Sequence, residues 1–415
     1  MLLLFFCLLA ARTGVSLLLD ALQTRRIRAQ AAGPAPAQAG LTDPDTHARS
    51  VAYALARHRL ASLRLVFDAA ILAALLATGA LASLWGGLSG LLGTGLFGQA
   101  AVFFSTLIVL HILGLPFDLW ETFRLEEKFG FNRTTPKLWL TDLFKGLAMA
   151  AALGLPLLTA LLAIVEHVAT WWLWGAILLF TFQLLVAFLY PTLIMPLFNK
   201  LTPLPEGELR DRLLALAAQT GFTARAILVM DGSTRSQHAN AFFAGFGRAR
   251  RIVLYDTLIQ QLDTEELAAV LAHEIGHYRL GHLPRRLVVG ALFTLAVFGA
   301  LGWLATQPAF LTAFGFTPDA GAGPFLMLAF LTGGLVTFWL DPLSNGWSRK
   351  HEFEADAYAA RILGAASPLV GALRKLHRKN LSLLSPHPVW AAFHASHPSL
   401  PEREERLALG QAAGS

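Results

Sequence analysis

The sequence predicts a mainly α-helical, polytopic membrane protein: seven transmembrane helices joined to a cytoplasmic polar domain with a small β element. Three observations point there. Only 14% of the 415 residues are charged and 55% are hydrophobic, against roughly 25% charged in soluble globular chains. The apolar residues come in runs of the ~20 residues that a helix needs to cross a bilayer core. The arginines and lysines gather in alternate loops between those runs, as the positive-inside rule expects.

The first run covers residues 1–22. No basic segment precedes it and no small-residue cleavage site follows, so it reads as a retained helix and not as a signal peptide. It holds Cys7, the single cysteine of the chain, which excludes an intramolecular disulfide and a cysteine metal site and reads as a lipid-facing apolar residue. Residues 69–117 contain no Asp, Glu, Lys or Arg. That stretch is too long for one crossing, and its glycines from Gly86 to Gly98 read as the turn between the second and third helices. Two more crossings fit residues 146–165 and 168–189, and the last two fit 287–306 and 321–340. The Ala-, Gly- and Pro-rich stretch 30–40 reads as a flexible part of the first loop.

Loop charge orients these helices. The loop after the first carries Arg25, Arg26, Arg28, Arg49, Arg57, Arg59 and Arg64 and belongs in the cytoplasm. The connection between the second and third is uncharged. The third, fifth and seventh helices lead into basic loops, whereas the links after the fourth and sixth hold almost no Lys or Arg. One topology satisfies every loop: N-terminus outside, C-terminus in the cytoplasm. The polar stretches 199–286 and 341–415 then share the cytoplasmic side. Within the first, 208–220 and 264–282 have helical periodicity, and 226–230 and 251–255 are β-rich. The expected division is a membrane domain, 1–200, and a second domain, 201–415, interrupted by a helical hairpin at about 287–340. A net charge of +6 raises the question of nucleic acid, but the basic residues flank apolar runs, so no nucleic-acid partner is expected.

The second domain contains His273-Glu274-Ile275-Gly276-His277. Residues i and i+4 share a helix face, so His273 and His277 can converge on one ion. Zinc accepts such nitrogen ligands and leaves room for a third protein ligand and a water. Glu274 projects beside the metal, where it can take a proton from water. Thr264, Glu265 and Glu266 supply a helix start, and the apolar run that follows makes the helix buried. For the third ligand, the stretch 348–356 offers Glu352, Glu354 and Asp356. Glu352, Asp356 and Arg349 share a face, while Glu354 points about 200° away from Glu352, towards water or another element. A consistent arrangement puts Glu352 on the metal, Asp356 behind a ligand imidazole, and Arg349 as balance for the negative charge. His351 is a rival ligand, but it lies off that face and reads as a solvated helix residue.

These pieces also carry a resemblance. EKFGFN (127–132), FNKLTPLPE (198–206), SQHANAF (236–242), RIVLYDT (251–257), HEIGH (273–277), the stretch 348–356 and SHPSLPER (396–403) follow in order along the chain. Together they resemble the integral-membrane CAAX prenyl endopeptidases, zinc metalloproteases related to the bacterial heat-shock protease HtpX. The resemblance implies seven helices enclosing an intramembrane chamber capped on the cytoplasmic side by a zincin-like site. It implies one zinc ion on His273, His277 and Glu352, Glu274 as general base, and Asn240 holding the extended substrate backbone. It further implies that His397 and Arg403 lie near the zinc and stabilise the developing oxyanion. By itself His397, before Pro398, reads as a loop or capping histidine.

The expected activity is zinc-dependent endopeptidase cleavage of membrane-associated or C-terminally processed, CAAX-like substrates. Substrate could align by β-addition on an edge strand, at 252–254 or at the Asn240 segment. A transporter or channel is disfavoured because the crossings hold few ionisable residues. A quality-control factor that binds without cleaving is the alternative. The expected partners are a peptide or protein substrate, membrane-embedded or lipidated, and membrane lipid, with the chain a monomer. The Ala-, Leu- and Arg-rich composition points to a bacterial inner membrane.

Overall fold

The computed structural model describes residues 1–32, 43–222, 226–244 and 251–412. The stretch 30–40 assigned to a flexible loop lies almost wholly outside the described residues. The first half is built from α1 (Leu2–Ala32), α2 (Pro44–Ala77), α3 (Ala80–Leu92) and α4 (Leu96–Trp120). A π-helical turn, Glu121–Glu126, carries α4 into α5 (Glu127–Phe129); α6 (Pro136–His167) and α7 (Trp171–Leu189) follow. A second π-helical turn, Tyr190–Ile194, leads from α7 into α8 (Met195–Phe198).

Among the described residues seven helical segments are long and apolar enough to cross a membrane. Their bounds exceed the sequence expectation. A 30 Å bilayer core takes about 20 residues of helix, whereas α1 has 31 and α2 has 34. The arginines expected in a first loop therefore ride on helical extensions: Arg25, Arg26 and Arg28 on α1, and Arg49, Arg57, Arg59 and Arg64 on α2. The Gly-rich turn is also more than a turn, because α3 is an apolar helix of 13 residues, too short to span. The crossings and α3 expose large apolar side chains such as Leu3, Leu91, Phe97 and Val288. That is the pattern of helices solvated by lipid. Their inward residues, including Phe5, Leu81, Trp85, Phe103, Trp171 and Phe325, form one core. A cavity of about 740 Å3 opens beside α1 and α2, lined by ionisable groups including Arg12, Asp20, Arg57, His58 and Asp341.

The second half contains β1 (Leu201–Pro203), α9 (Glu208–Gln219), β2 (Ala226–Met230), β3 (Ala241–Ala244), β4 (Arg251–Tyr255), α10 (Asp256–Gln261) and α11 (Thr264–Arg279). It continues with α12 (His282–Ala305), α13 (Pro308–Thr312), α14 (Ala322–Thr337), α15 (Asp341–Leu363), α16 (Ser367–Lys379), α17 (Pro388–His394) and α18 (Leu400–Ala412). The strands form a mixed sheet in the order β1-β2-β4-β3. β2 and β4 run parallel, with Ala226 opposite Arg251, and β1 and β3 are antiparallel to their neighbours. β4 is thus internal, paired on both sides. The expectation of an edge strand at 252–254 is corrected: the edge strands among the described residues are β1 and β3, and β3 begins directly after Asn240.

α11 is the centre of this half. Its N-terminus is closed by a capping box, in which Asp263 accepts from the Glu266 amide and Glu266 accepts from the Asp263 amide. Lys375 on α16 pairs with Glu266 at 2.6 Å, and Arg212 on α9 grips Glu265 with both ends of its guanidinium. Leu267, Ala268, Leu271, Ala272 and Ile275 are almost fully buried against the sheet and α15. α15 comes close because of Gly276: a Cβ there would sit 3.1 Å from the Ala355 Cα and 3.2 Å from its carbonyl oxygen. In sequence, α11 and α15 are separated by α12 and α14, the last two crossings.

The membrane half is tied to this domain around the EKFGFN segment. Asn132 pairs with Ser236, the Phe131 ring stacks on His238, and Arg235 bonds Asp142 on α6 at 2.9 Å. Seven long apolar helices and a small mixed sheet match the predicted fold class.

Candidate metal centre

His273 and His277 sit one turn apart on the face of α11 that meets α15, and Glu352 reaches them from α15. The two imidazole Nε2 atoms are 3.2 Å apart. Glu352 lies 3.4 Å from His273 Nε2 through Oε2 and 3.3 Å from His277 Nε2 through Oε1. These spacings equal the edge of a tetrahedron whose centre is about 2.0–2.1 Å from each corner, the bond length of zinc to nitrogen and oxygen ligands. The protonation pattern agrees. The His273 Nδ1–H donates to Asp356 at 2.8 Å, leaving the Nε2 lone pair aimed at the cluster. Among the described residues Glu352 Oε2 is buried with no hydrogen-bond donor. Three converging lone-pair donors of this kind fit a cation between them and little else.

His277 is fixed by a residue the sequence reading missed. Gly281, at φ +69°, ends α11 in the left-handed region, so α12 starts afresh at His282. The expected helix over 264–282 is therefore two helices, and the break turns His282 back onto the site. His282 Nε2–H donates to Glu354 at 2.9 Å, so its Nδ1 is the acceptor for His277 Nδ1–H, also at 2.9 Å. The relay His277–His282–Glu354 leaves His277 Nε2 free for the ion. His351 stacks flat on the His282 ring, 3.9 Å between centroids, and packs on Trp347. His282, His351 and Glu354 also lie close enough to suggest a second metal cluster. The stacked rings and the 2.9 Å hydrogen bond show instead a support for His277. One expectation changes here: His351 is buried and not solvated. Of the two surroundings open to Glu354, water or another element, it meets the second, at His282. Gly281 was the legible signal, since a glycine after a helical run marks a left-handed helix end.

Asp356 stands behind His273, where it was expected, but its counter-charge comes from a different arginine. Arg403 closes its fork on Asp356 through Nε at 2.7 Å and Nη2 at 2.5 Å, with Nη2 3.4 Å from His273 Nδ1. Its contacts are behind the imidazole, away from where an oxyanion would develop. Burial alone would pull the guanidinium pKa down; the bonds to Asp356 outweigh it and push it up. Arg349 donates to the Ala391 and Ala395 carbonyls at 3.0 and 2.7 Å. It anchors the end of α17, directly before Ser396 and His397, and does not serve as the counter-charge. His397 is exposed at the mouth of the site, with Nε2 3.6 Å from Glu352 Oε1. Asn240 precedes the edge strand β3, which packs on α11, and its side chain accepts from the Ala241 amide at 2.8 Å.

Glu274 is half-buried beside the two imidazoles, and among the described residues its carboxylate makes no hydrogen bond. Burial raises its pKa, opposed by the His273 and His277 charges. An uncommitted carboxylate with a raised pKa is suited to carry a proton to and fro. His273 shows the opposite balance. Burial would lower its pKa, but the bonds to Asp356 and Glu352 prevail and lift it to about 9. An incoming ion must displace that proton, so apparent metal affinity falls as pH drops below about 9, about tenfold per unit. Zinc titration of the apoprotein is expected to be ~100-fold weaker at pH 6 than at pH 8; an affinity flat across that range would contradict this proton balance.

A His-Glu-x-x-His helix, completed by a glutamate from a second helix and joined to seven membrane helices, defines an integral-membrane metallopeptidase. The comparisons with known proteins say which. The family description "CAAX prenyl protease N-terminal, five membrane helices" matches residues 23–200, and "Peptidase family M48" matches residues 203–409. CAAX prenyl protease 1 of Saccharomyces cerevisiae is 39% identical over 325 residues, covering 74% of this chain and 71% of the yeast protein. The human CAAX prenyl protease 1 homolog is 30% identical over 353 residues, covering 74% and 73%. The crystal structure of S. mikatae Ste24p superposes with a TM-score of 0.90 at 30% identity, covering 97% of this chain and 99% of that one. The chain belongs to the CAAX prenyl protease 1 branch of peptidase family M48, the zinc metalloendopeptidases of membranes. These relatives are eukaryotic and lend no support to the bacterial origin expected from composition.

Proposed function

We propose that the chain hydrolyses a peptide bond near the C-terminus of a membrane-associated, CAAX-like substrate, with one zinc ion on His273, His277 and Glu352. The observation that carries this reading is the convergence of the two imidazole Nε2 atoms and the Glu352 carboxylate, at spacings of 3.2–3.4 Å, on two packed helices. When bound, zinc would supply Lewis acidity to water and to the scissile carbonyl. Glu274 takes the proton from the attacking water and returns it to the departing amine. His397, exposed at the mouth, is placed to donate to the oxyanion. Asp356 and Arg403 hold His273 in its tautomer, and His282 and Glu354 do the same for His277. The free edge of β3 lines up the substrate backbone, with Asn240 at its start.

The relatives' printed names point to prenylated proteins as the substrate class. The cytoplasmic side follows from the arginines on the inner ends of α1 and α2. The working division is a membrane domain to about residue 200 and a peptidase domain beyond it, interrupted by the last two crossings. The test is a farnesylated peptide ending in CAAX, presented to the purified chain beside its unprenylated twin. Release of the terminal tripeptide, abolished by a chelator and restored by zinc, is the expected result. Cleavage indifferent to chelation would sink the assignment.

The relay behind His277 gives a further expectation. His282→Ala should lower zinc affinity about 10–100-fold, the usual cost of losing a partner that orients a metal-bound histidine. Zinc retention against a competing chelator reads it directly; wild-type retention would make the relay incidental.

A further inference from the structure

The outer face of the membrane domain carries a second cavity, of about 830 Å3, between α2 and the α4–α5 segment. Its walls are Ala56, Leu60 and Leu63 on one side and Pro116, Phe117, Trp120 and Leu125 on the other. Three cations, Arg59, Arg124 and Lys128, line it, and among the described residues no acidic side chain does. None of the three makes an ion pair among the described residues, whereas Arg64, one turn further along α2, is held by Asp118 at 2.6 Å. Leu63 is 60% and Trp120 is 59% exposed, so the groove faces outward and not into the bundle.

Depth sorts these groups. A bilayer core occupies about 20 helical residues. Counted back from the end of α2 at Ala77, that length reaches the level of Arg59; counted forward from Leu96, it reaches Pro116. Arg59, Arg124 and Lys128 therefore lie at or beyond the end of that core on one side of the membrane. Trp120 stands at the boundary, where amphipathic rings settle. Leu60 and Leu63 lie on the acyl-chain side of Arg59, and Pro116 and Phe117 stand at the edge of the core. Unpaired cations at the headgroup layer above an apolar groove complement an anionic amphiphile.

We propose that this groove seats one anionic phospholipid of the surrounding bilayer, with its phosphate among Arg59, Arg124 and Lys128 and an acyl chain descending past Trp120 and Phe117 along Leu60 and Leu63. Leu60 and Phe117 also line the inner cavity. The lipid therefore braces the wall between bilayer and chamber.

The test is native mass spectrometry of the full-length, zinc-loaded chain with phosphatidylglycerol and phosphatidylcholine of matched acyl chains. The wild type should retain one phosphatidylglycerol under activation that strips phosphatidylcholine. Arg59→Gln/Arg124→Gln/Lys128→Gln should lose that preference about tenfold or more. Lys200→Gln/Arg210→Gln/Lys379→Gln, which removes equal charge elsewhere, should keep it. Leu63→Trp, which fills the groove and spares the cations, should also lose it, separating a seated lipid from a diffuse charge effect. Zinc content and thermal melting confirm folding; should the triple variant unfold, Arg124→Gln alone is read, and a preference equal to wild type overturns the site. An unchanged preference in the triple variant, an equal loss in the control variant, or no effect of Leu63→Trp overturns it as well. So does displacement of phosphatidylglycerol by a farnesylated peptide, which would give the groove to substrate.

Discussion

Glu274→Gln should retain zinc and lose peptidase activity, with kcat falling by about 10³-fold or more, the upper part of the range for removing a general base. That is about 4 kcal/mol of transition-state stabilisation. The substitution keeps the size of the side chain but cannot accept the water proton. Because Glu274 makes no hydrogen bond among the described residues, nothing in the support of His273 or His277 depends on it, and metal content should stay at one ion per chain. Metal analysis beside a peptide-cleavage assay separates the two properties. Turnover above a few per cent of wild type would remove Glu274 from its role. A Glu274→Gln chain that still rescues a cellular defect of the null strain would favour the binding-only alternative.

Glu352→Ala should release the metal. Zinc held by three protein ligands draws a comparable share from each, so losing one costs on the order of 10²–10³ in affinity. Glu354→Ala is the informative companion. It touches no ligand, but it removes the acceptor of the His282 Nε2–H, and His282 can then turn the wrong nitrogen to His277. An intermediate loss, about 10–100-fold, is expected. The order Glu352→Ala, then Glu354→Ala, then wild type should appear in the chelator concentration at which zinc leaves. Equal behaviour of Glu352→Ala and wild type would place the third ligand elsewhere.

Much of this was legible from residue spacing. The 20-residue apolar runs and the helical register of His273, His277, Glu352 and Asp356 depend on local periodicity, and the structure brings those four side chains together. What escaped depends on contacts between distant segments. Arg349 and Arg403 are both arginines within reach of an acidic helix by sequence, and only packing decides that Arg403 faces Asp356 while Arg349 turns to α17. Glu354 was correctly placed on a different face from Glu352, but nothing local says that the other face meets His282. β4 looked like an edge because its partner β3 is only four residues long.

The ligands of one site come from either side of the last two crossings: His273 and His277 before α12, Glu352 after α14. During synthesis the ribosome delivers the histidines first, and the glutamate emerges only after both crossings have been made. α15 can close on α11 at Gly276 only when α12 and α14 have returned the chain to the side it left. A nascent or misinserted chain therefore carries half a site and cannot cut. Catalytic competence is in this sense a report on membrane insertion: the protease arms itself only after its own last hairpin is home.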